Sequence, residues 1–219
     1  MTLKLNGSSS GSVALDAPAS TTSGADITFK LPVADGTAGQ VLQTDGSGNW
    51  SWVSLPAASV AYSEYDEWRL TSSQSCTSND NAYITSNWER NDVGFDKIGT
   101  GMTESSGEFS FPSTGKWLIF YHIQFYGVNS ARAIRADLFT TTDNSSYSAV
   151  GHSTSHLSDR GTNQAGYGEV NLQYFFDVTS TTNCKVKLGG MSYSGSNASF
   201  NGNTSQNSTY VTFTKIGAT

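Results

Sequence analysis

Residues Gly107 to Phe125, GEFSFPSTGKWLIFYHIQF, set the strongest limit on what this chain can fold into. Phe109 and Phe111 alternate with Glu108 and Ser110, the two-residue period of a half-buried strand. Pro112 has no amide to give to a ladder and Gly115 tolerates positive φ. Pro112-Ser-Thr-Gly115 is therefore expected to close one strand and launch the next, making a hairpin. The second strand is the longer one. Trp117, Ile119, Tyr121, Ile123 and Phe125 fall on one face, and Leu118, Phe120, His122 and Gln124 on the other. Such a strand belongs in the middle of a β-sandwich, with the wholly apolar face in the core and the mixed face a candidate for cover by another subunit. Those five residues and Phe120 are the expected core and subunit interface.

The remaining composition suits this reading. Of the 219 residues 12 % are aromatic and only 14 % charged, which argues against disorder, since disordered chains lack aromatics and carry more charge. No stretch shows useful helical periodicity, so the expected class is all-β. A net charge of −6 without a Lys/Arg cluster argues against a nucleic-acid or anionic-membrane partner. No apolar run approaches the roughly 18 residues of a membrane span, and Met1-Thr-Leu-Lys-Leu-Asn6 lacks the apolar centre of a signal peptide. The expectation is folding in a cytoplasm without membrane insertion.

Organisation changes along the chain. Residues 1–55 hold only short apolar pieces, among them Leu3 and Leu5, Val13 and Leu15, and Ile27, Phe29 and Leu31, separated by Gly/Ser/Thr/Ala clusters. Strands this short cannot bury their apolar sides within one chain, so this arm is expected to intertwine with other chains. Within it, Thr44 to Asn49 reads as the turn of a hairpin between Val41-Leu42 and Trp50-Ser51-Trp52. Residues 56–66 read as a connector and 67–219 as a sandwich head. Expected head strands are Trp68–Leu70, Tyr83-Ile84 with Trp88, Ala133–Thr140, Tyr147–Thr154, Glu169–Asp177, Cys184–Leu188, Met191–Tyr193 and Tyr210–Ile216, with Asp143 to Ser146 as a turn. Ser72–Asn81, His156–Gln164 and Ser194–Ser208 read as polar loops.

Catalytic chemistry has little to rest on. There is no Gly-x-Ser-x-Gly elbow, P-loop or His-Glu-x-x-His, and no Asp-x-Asp-x-Asp-Gly calcium spacing. Two cysteines, Cys76 and Cys184, are too few for a zinc site or a disulfide framework and read as small buried hydrophobes. His152 and His156 sit in a Ser/Thr-rich stretch that reads as strand, where four residues span about 13 Å, too far to share one ion. A ring of one histidine from each of three subunits around a trimer axis is the remaining metal candidate; no cofactor is expected. Trp88, Tyr126, Tyr147, Tyr167 and Tyr193 are candidate stacking platforms for sugars. Asn163, Tyr167, Asn197, Phe200 and Asn203, in or beside the long polar loops, are candidate receptor-facing residues.

Two resemblances sharpen the picture. Val93-Gly-Phe-Asp-Lys-Ile-Gly99, then Gly107–Pro112, a tight turn, Gly115 and an aromatic-alternating strand resemble, in that order, the globular head of complement component 1q and its tumour-necrosis-factor-like relatives. Arg135–Phe139, Gly168–Phe176 and Tyr210–Gly217 resemble later strands of such heads. This resemblance covers about Glu67 to the C-terminus and implies a ten-stranded jelly roll packed as a tight trimer. The second lies in the arm, where Gly36-Thr-Ala-Gly-Gln-Val-Leu-Gln-Thr-Asp-Gly-Ser-Gly-Asn-Trp-Ser-Trp52 resembles a motif of structural and fibre proteins of tailed bacteriophages, particularly those of marine cyanobacteria. It implies a virion protein, assembled in a host cytoplasm, whose arm docks on other virion proteins through Leu3, Leu5, Val13, Leu15, Ile27, Phe29 and Leu31. Three function classes follow from these readings: a trimeric fibre, spike or capsid-decoration protein; a head that binds a host-surface glycan; and a glycan-cleaving tailspike, which needs paired carboxylates in a cleft.

Overall fold

The computed structural model describes residues 3–6, 10–15, 18–21, 24–55, 62–76, 82–128, 133–156, 165–193 and 198–219, and none of these is helical. The chain divides into two units, residues 1–58 and 59–219.

In the first unit, β1 (Leu3–Asn6) and β2 (Ser12–Leu15) pair antiparallel with Leu3 opposite Leu15 and Leu5 opposite Val13. β3 (Gln40–Thr44) and β4 (Trp50–Ser54) form the expected second hairpin. Its turn is organised by Asp45, whose carboxylate accepts from the Ser47 amide at 2.7 Å and the Asn49 side chain at 2.6 Å. The strand expected over Ile27–Leu31 reduces to one bridge, Lys30 to Asn49. Pro32 follows at once and cannot donate to a continued ladder. Phe29 meets Trp50 edge-on at 5.6 Å, and the Trp52 indole lies over Gly36, where a Cβ would come within 2.5 Å of the ring. Among its described residues this unit buries no apolar side chain, and Ile27, Phe29, Leu31 and Val33 are all exposed.

The second unit is a two-sheet sandwich. Its strands are β5 (Tyr65–Leu70), β6 (Ser72–Ser75), β7 (Trp88–Arg90), β8 (Lys97–Ile98), β9 (Thr103–Ser105), β10 (Glu108–Ser110), β11 (Gly115–Val128), β12 (Ala133–Thr141), β13 (Ser148–His156), β14 (Ala165–Val178), β15 (Lys185–Ser192), β16 (Ala198–Asn203) and β17 (Tyr210–Gly217). The smaller sheet runs β13-β12-β15-β10-β9. In the larger sheet β14 flanks one edge of β11 along its whole length. The other edge of β11 is shared end to end by β17 and β16, which pair on to β5 and β6, with β7 and β8 outside β5.

The 107–125 segment is thus not a hairpin. β10 pairs with β9 and β15 in one sheet and β11 with β14, β16 and β17 in the other, so the Phe111–Thr114 link crosses the sandwich. Core packing decides this. Phe109 is fully buried, edge-on to Trp68 and Trp88 at 5.7 and 5.6 Å, while Phe111 packs on Trp117 at 5.1 Å. The two phenylalanines fill the space between the sheets, and Pro112, which has no amide to place in a ladder, sits at the crossing. The alternation of β11 is as expected: Trp117, Ile119, Tyr121, Ile123 and Phe125 are all core, with Phe120 half-buried on the outer face. As core residues these five are not available to another subunit, and the other parity of β11 faces outward.

Element boundaries also differ. Ser72–Ser75, expected as polar loop, is β6, and the two strands expected over Cys184–Tyr193 are one, β15. Gly189 and Gly190 read as a break but are in-strand. A Cβ at Gly190 would sit 2.7 Å from the Phe200 ring, so glycine is required there for close packing.

Candidate functional site: the outer face of the larger sheet

The larger sheet presents an outer face built from β14, β11, β17 and β5. On β14, Val170, Leu172, Phe176 and Val178 point into the core, so Tyr167, Glu169, Asn171, Gln173, Phe175 and Asp177 point out. Beside them lie Leu118, Phe120, His122, Gln124 and Tyr126 of β11, then Tyr210, Thr212 and Thr214 of β17, then Tyr65, Glu67 and Arg69 of β5. At the centre His122 Nδ1 lies 2.5 Å from the Asn171 amide oxygen, and its ring leans on Tyr210 at 5.0 Å.

The two margins differ in character. At one, Tyr167 is exposed and packs against Tyr126 at 5.2 Å, and with Gln124, Gly168 and Glu169 it lines a shallow hollow of mixed character. Gln124 accepts from Asn201 at 3.2 Å, which holds its amide in place. At the other margin an apolar hollow is lined by Tyr65, Glu67, Phe95 and Ile98, with Phe95 edge-on to Tyr65 at 5.2 Å. Burial and the neighbouring Glu67 carboxylate push the Tyr65 hydroxyl up to about 12, so it is a neutral donor at any physiological pH.

Beneath this second margin the charges are fully partnered. Arg69 is 1 % exposed, and its guanidinium donates to Glu89 at 2.8 Å, to Asn91 at 2.9 Å and to Asp92. Glu67 accepts from the side chains of Asn91 and Asn207, both at 2.5 Å. These bonds fix the loop 91–95 and thereby the wall of the hollow. On the opposite sheet, Glu108 collects Lys185 at 2.6 Å and Tyr147 at 2.6 Å. Burial alone would raise the Glu108 carboxyl, but those two hydrogen bonds outweigh it and hold it below the usual range.

The residues expected from sequence to face a receptor do not gather into one patch. Phe200 is not in a loop; it is 3 % exposed, on β16, in the core cluster. Alternating burial along β16 is the reason: Ala198 and Phe200 point inward in a segment whose Gly/Ser/Asn content hid the period. Asn203 uses its side-chain oxygen to accept from Ser205 and Gln206 at 2.7 and 3.1 Å, organising its own turn. Asn163 and Asn197 lie outside the described residues, as do the side chains of Leu3, Leu5, Val13 and Leu15. Trp88 is buried with its indole N–H on the Ile84 carbonyl at 3.0 Å and cannot stack on a ligand. Tyr147 is held by Glu108, while Tyr167 and Tyr193 are exposed. His152 and His156 are exposed positions of β13, opposite Asp137 and Ala133. Among the described residues no three His, Cys, Asp or Glu side chains converge to hold a metal ion. Cys76 and Cys184 are buried and unbridged.

Sequence reasoning passed over Phe175, Tyr65, Phe95 and Ile98. A signal was present for Phe175, since it breaks the polar run Glu169, Asn171, Gln173, Asp177 on the outward parity of its strand. The apolar hollow had none, because it depends on β8 reaching β5 across about 30 residues of chain.

A sandwich of these two sheets, each five strand positions wide, is a jelly roll of the tumour-necrosis-factor kind. The Eiger tumour necrosis factor of S. frugiperda superimposes with a TM-score of 0.50 at 11 % identity, over 71 % of this chain and 93 % of that one. Murine APRIL at pH 5.0 gives 0.49 at 12 % identity, over 70 % and 98 %. No family model and no curated protein matches the sequence. At these identities the likeness is one of fold, and function has to come from surfaces.

Proposed function

We propose that this chain is a non-enzymatic structural protein of a bacteriophage virion, a homotrimeric fibre, spike or capsid-decoration protein. Its jelly-roll head points outward, and its N-terminal unit docks on other virion proteins. The observation that carries the self-association is the outer face of the larger sheet, where Phe175, Leu118, Phe120, Tyr210 and Tyr65 stand among neutral polar side chains and the charged groups Glu169, Asp177, Lys116 and Glu67 are set toward its margins. The implied trimer of tumour-necrosis-factor-like heads supports the same reading. The particle assignment rests on the Gly36–Trp52 motif and on the exposed Ile27, Phe29, Leu31 and Val33 of the first unit, apolar groups that need a partner surface. Contribution to host-surface attachment rests on the exposed Tyr167 ring beside the Gln124 amide and the Glu169 carboxylate, the flat ring and polar groups a sugar requires. Antibody against the head, imaged on purified particles, tests the assignment directly. Label at tail or capsid vertices is the expected result, and particles without label overturn it. Adsorption blocked by purified head and not by its Tyr167→Ala variant is the expected result for attachment.

A further inference from the structure

The pairing registers of the larger sheet place five outward residues in one row. Phe175 is opposite Leu118, Leu118 opposite Thr214, Thr214 opposite Tyr65, and Tyr65 opposite Ile98. The row crosses the sheet at right angles to the strands over four strand spacings, roughly 19 Å. Its two ends are unlike. At the β14 edge Phe175 projects, 61 % exposed. At the other end Ile98, Tyr65 and Phe95 wall the apolar hollow. Every exposed large apolar side chain described in the head, tyrosines aside, lies on this row or beside it: Phe175 and Ile98 on it, Phe95 and Val93 on the loop at the hollow, Ile216 two residues beyond Thr214. Scattered single apolar residues need no explanation, but their gathering on and beside one row does.

We infer that this row is a head-to-tail interface between copies of this chain, in which Phe175 of one copy enters the Tyr65–Phe95–Ile98 hollow of the next. The inference rests on the self-association proposed above and names its geometry. A second copy is the occupant that matches, because knob and hollow sit at one level of the same sheet. A rotation about an axis parallel to the strands keeps that level and brings each Phe175 to the neighbouring hollow. β14 is the edge strand of its sheet, so Phe175 can reach past the edge without another strand in the way. Unlike ends make the contact heterologous, and a heterologous contact that closes gives a ring. An aromatic anchor entering an apolar pocket is also where interfaces concentrate their energy.

The test uses the full chain and two variants, Phe175→Asp, which spoils the knob, and Ile98→Asp, which spoils the hollow. By light scattering the unsubstituted protein is expected at about three times the chain mass, and each variant alone at about the chain mass. Mixed in equal amounts, the variants are expected to form two-copy complexes, since the intact Phe175 of one still fits the intact hollow of the other. That recovery also shows that both are folded. A Phe175→Asp protein that stays trimeric, or a mixture that stays at chain mass, overturns the knob-and-hollow contact while leaving self-association standing. An unsubstituted protein at chain mass at micromolar concentration overturns both.

Discussion

Arg90 grips Asp66 with two nitrogens, Nε at 2.9 Å from one carboxylate oxygen and Nη2 at 3.1 Å from the other. The Asp66 side chain is 1 % exposed and also accepts from the Trp68 indole at 2.9 Å and the Met102 amide at 2.6 Å. One carboxylate therefore ties β5, β7 and the approach to β9 together at the sheet margin that carries the apolar hollow. Asp66 is buried while Arg90 is partly exposed, so removing the carboxylate leaves its buried donors unpaired, at a cost of about 1–3 kcal/mol. Asp66→Ala is expected to lose stability of that order in urea unfolding, and Asp66→Asn less, because the amide keeps an acceptor. An unchanged midpoint for Asp66→Ala would contradict the role assigned to the pair.

Cys76 is buried, and burial pushes its thiol up to about 12. At pH 8 almost none of it is thiolate, and the thiolate is the reactive form. Neither cysteine is expected to react with iodoacetamide over minutes in the native protein, and both should react in denaturant. Mass spectrometry of the alkylated, unreduced chain reads this out. A Cys76–Cys184 bridge is the result that would count against it.

Asp143 caps the turn between β12 and β13. Amide donation from Ser146, the Thr141 hydroxyl and the Ser145 amide hold its carboxyl well below the usual range, in that order of effect. A depressed folded pKa means the charged form stabilises the fold above the unfolded value, about 3.9, and that this contribution fades as pH falls below it. Asp143→Asn is therefore expected to be less stable than the unsubstituted protein at pH 7, with a smaller gap at pH 2.5, where the unfolded but not the folded carboxyl has become protonated. A gap that is the same at both pH values would assign the turn's stability to shape rather than charge.

Phe200 and Tyr167 were matched candidates in the sequence and are opposites in the fold. Phe200→Ala empties a core position and is expected to cost about 3–5 kcal/mol. Tyr167→Ala, at an exposed position, should stay within about 0.5 kcal/mol. Thermal unfolding of the two variants decides it, and equal effects would mean that β16 is not the core strand described above.

The buried apolar residues described all lie between Leu70 and Phe213. A chain shortened to begin at Ser59 is therefore expected to keep the melting temperature of the head. A fall of many degrees on removing residues 1–58 would show that the first unit supports the head's fold as well as any docking role.

The legible parts of the fold were those where burial alternates over many residues. Trp117 to Phe125 announced its core face, and Asp143–Ser146 its turn, because side-chain period and turn chemistry are local. What failed was pairing. Phe109 and Trp117 look like facing halves of a hairpin, and only the need to fill the space around Trp68, Trp88 and Phe213 sends β10 and β11 to different sheets. β16 was hidden because Ala198 and Phe200, its inward residues, are set among Ser, Asn and Gly that read as loop. For the candidate interface, Leu118 and Phe120 were visible as a mixed face. Its ends were not, since Phe175 and Ile98 become neighbours of that face only through ladders spanning tens of residues.

β17, the last head strand in chain order, lies inside the larger sheet between β11 and β5 rather than at its edge. A ribosome making this protein cannot seal that sheet until Tyr210–Gly217 has emerged. Until then β11 and β5 wait with open edges, and the row from Phe175 to Ile98 is cut at Thr214. The proposed contact is thereby tied to this one strand: a chain lacking Tyr210–Gly217 has no continuous row from Phe175 to Ile98 to offer.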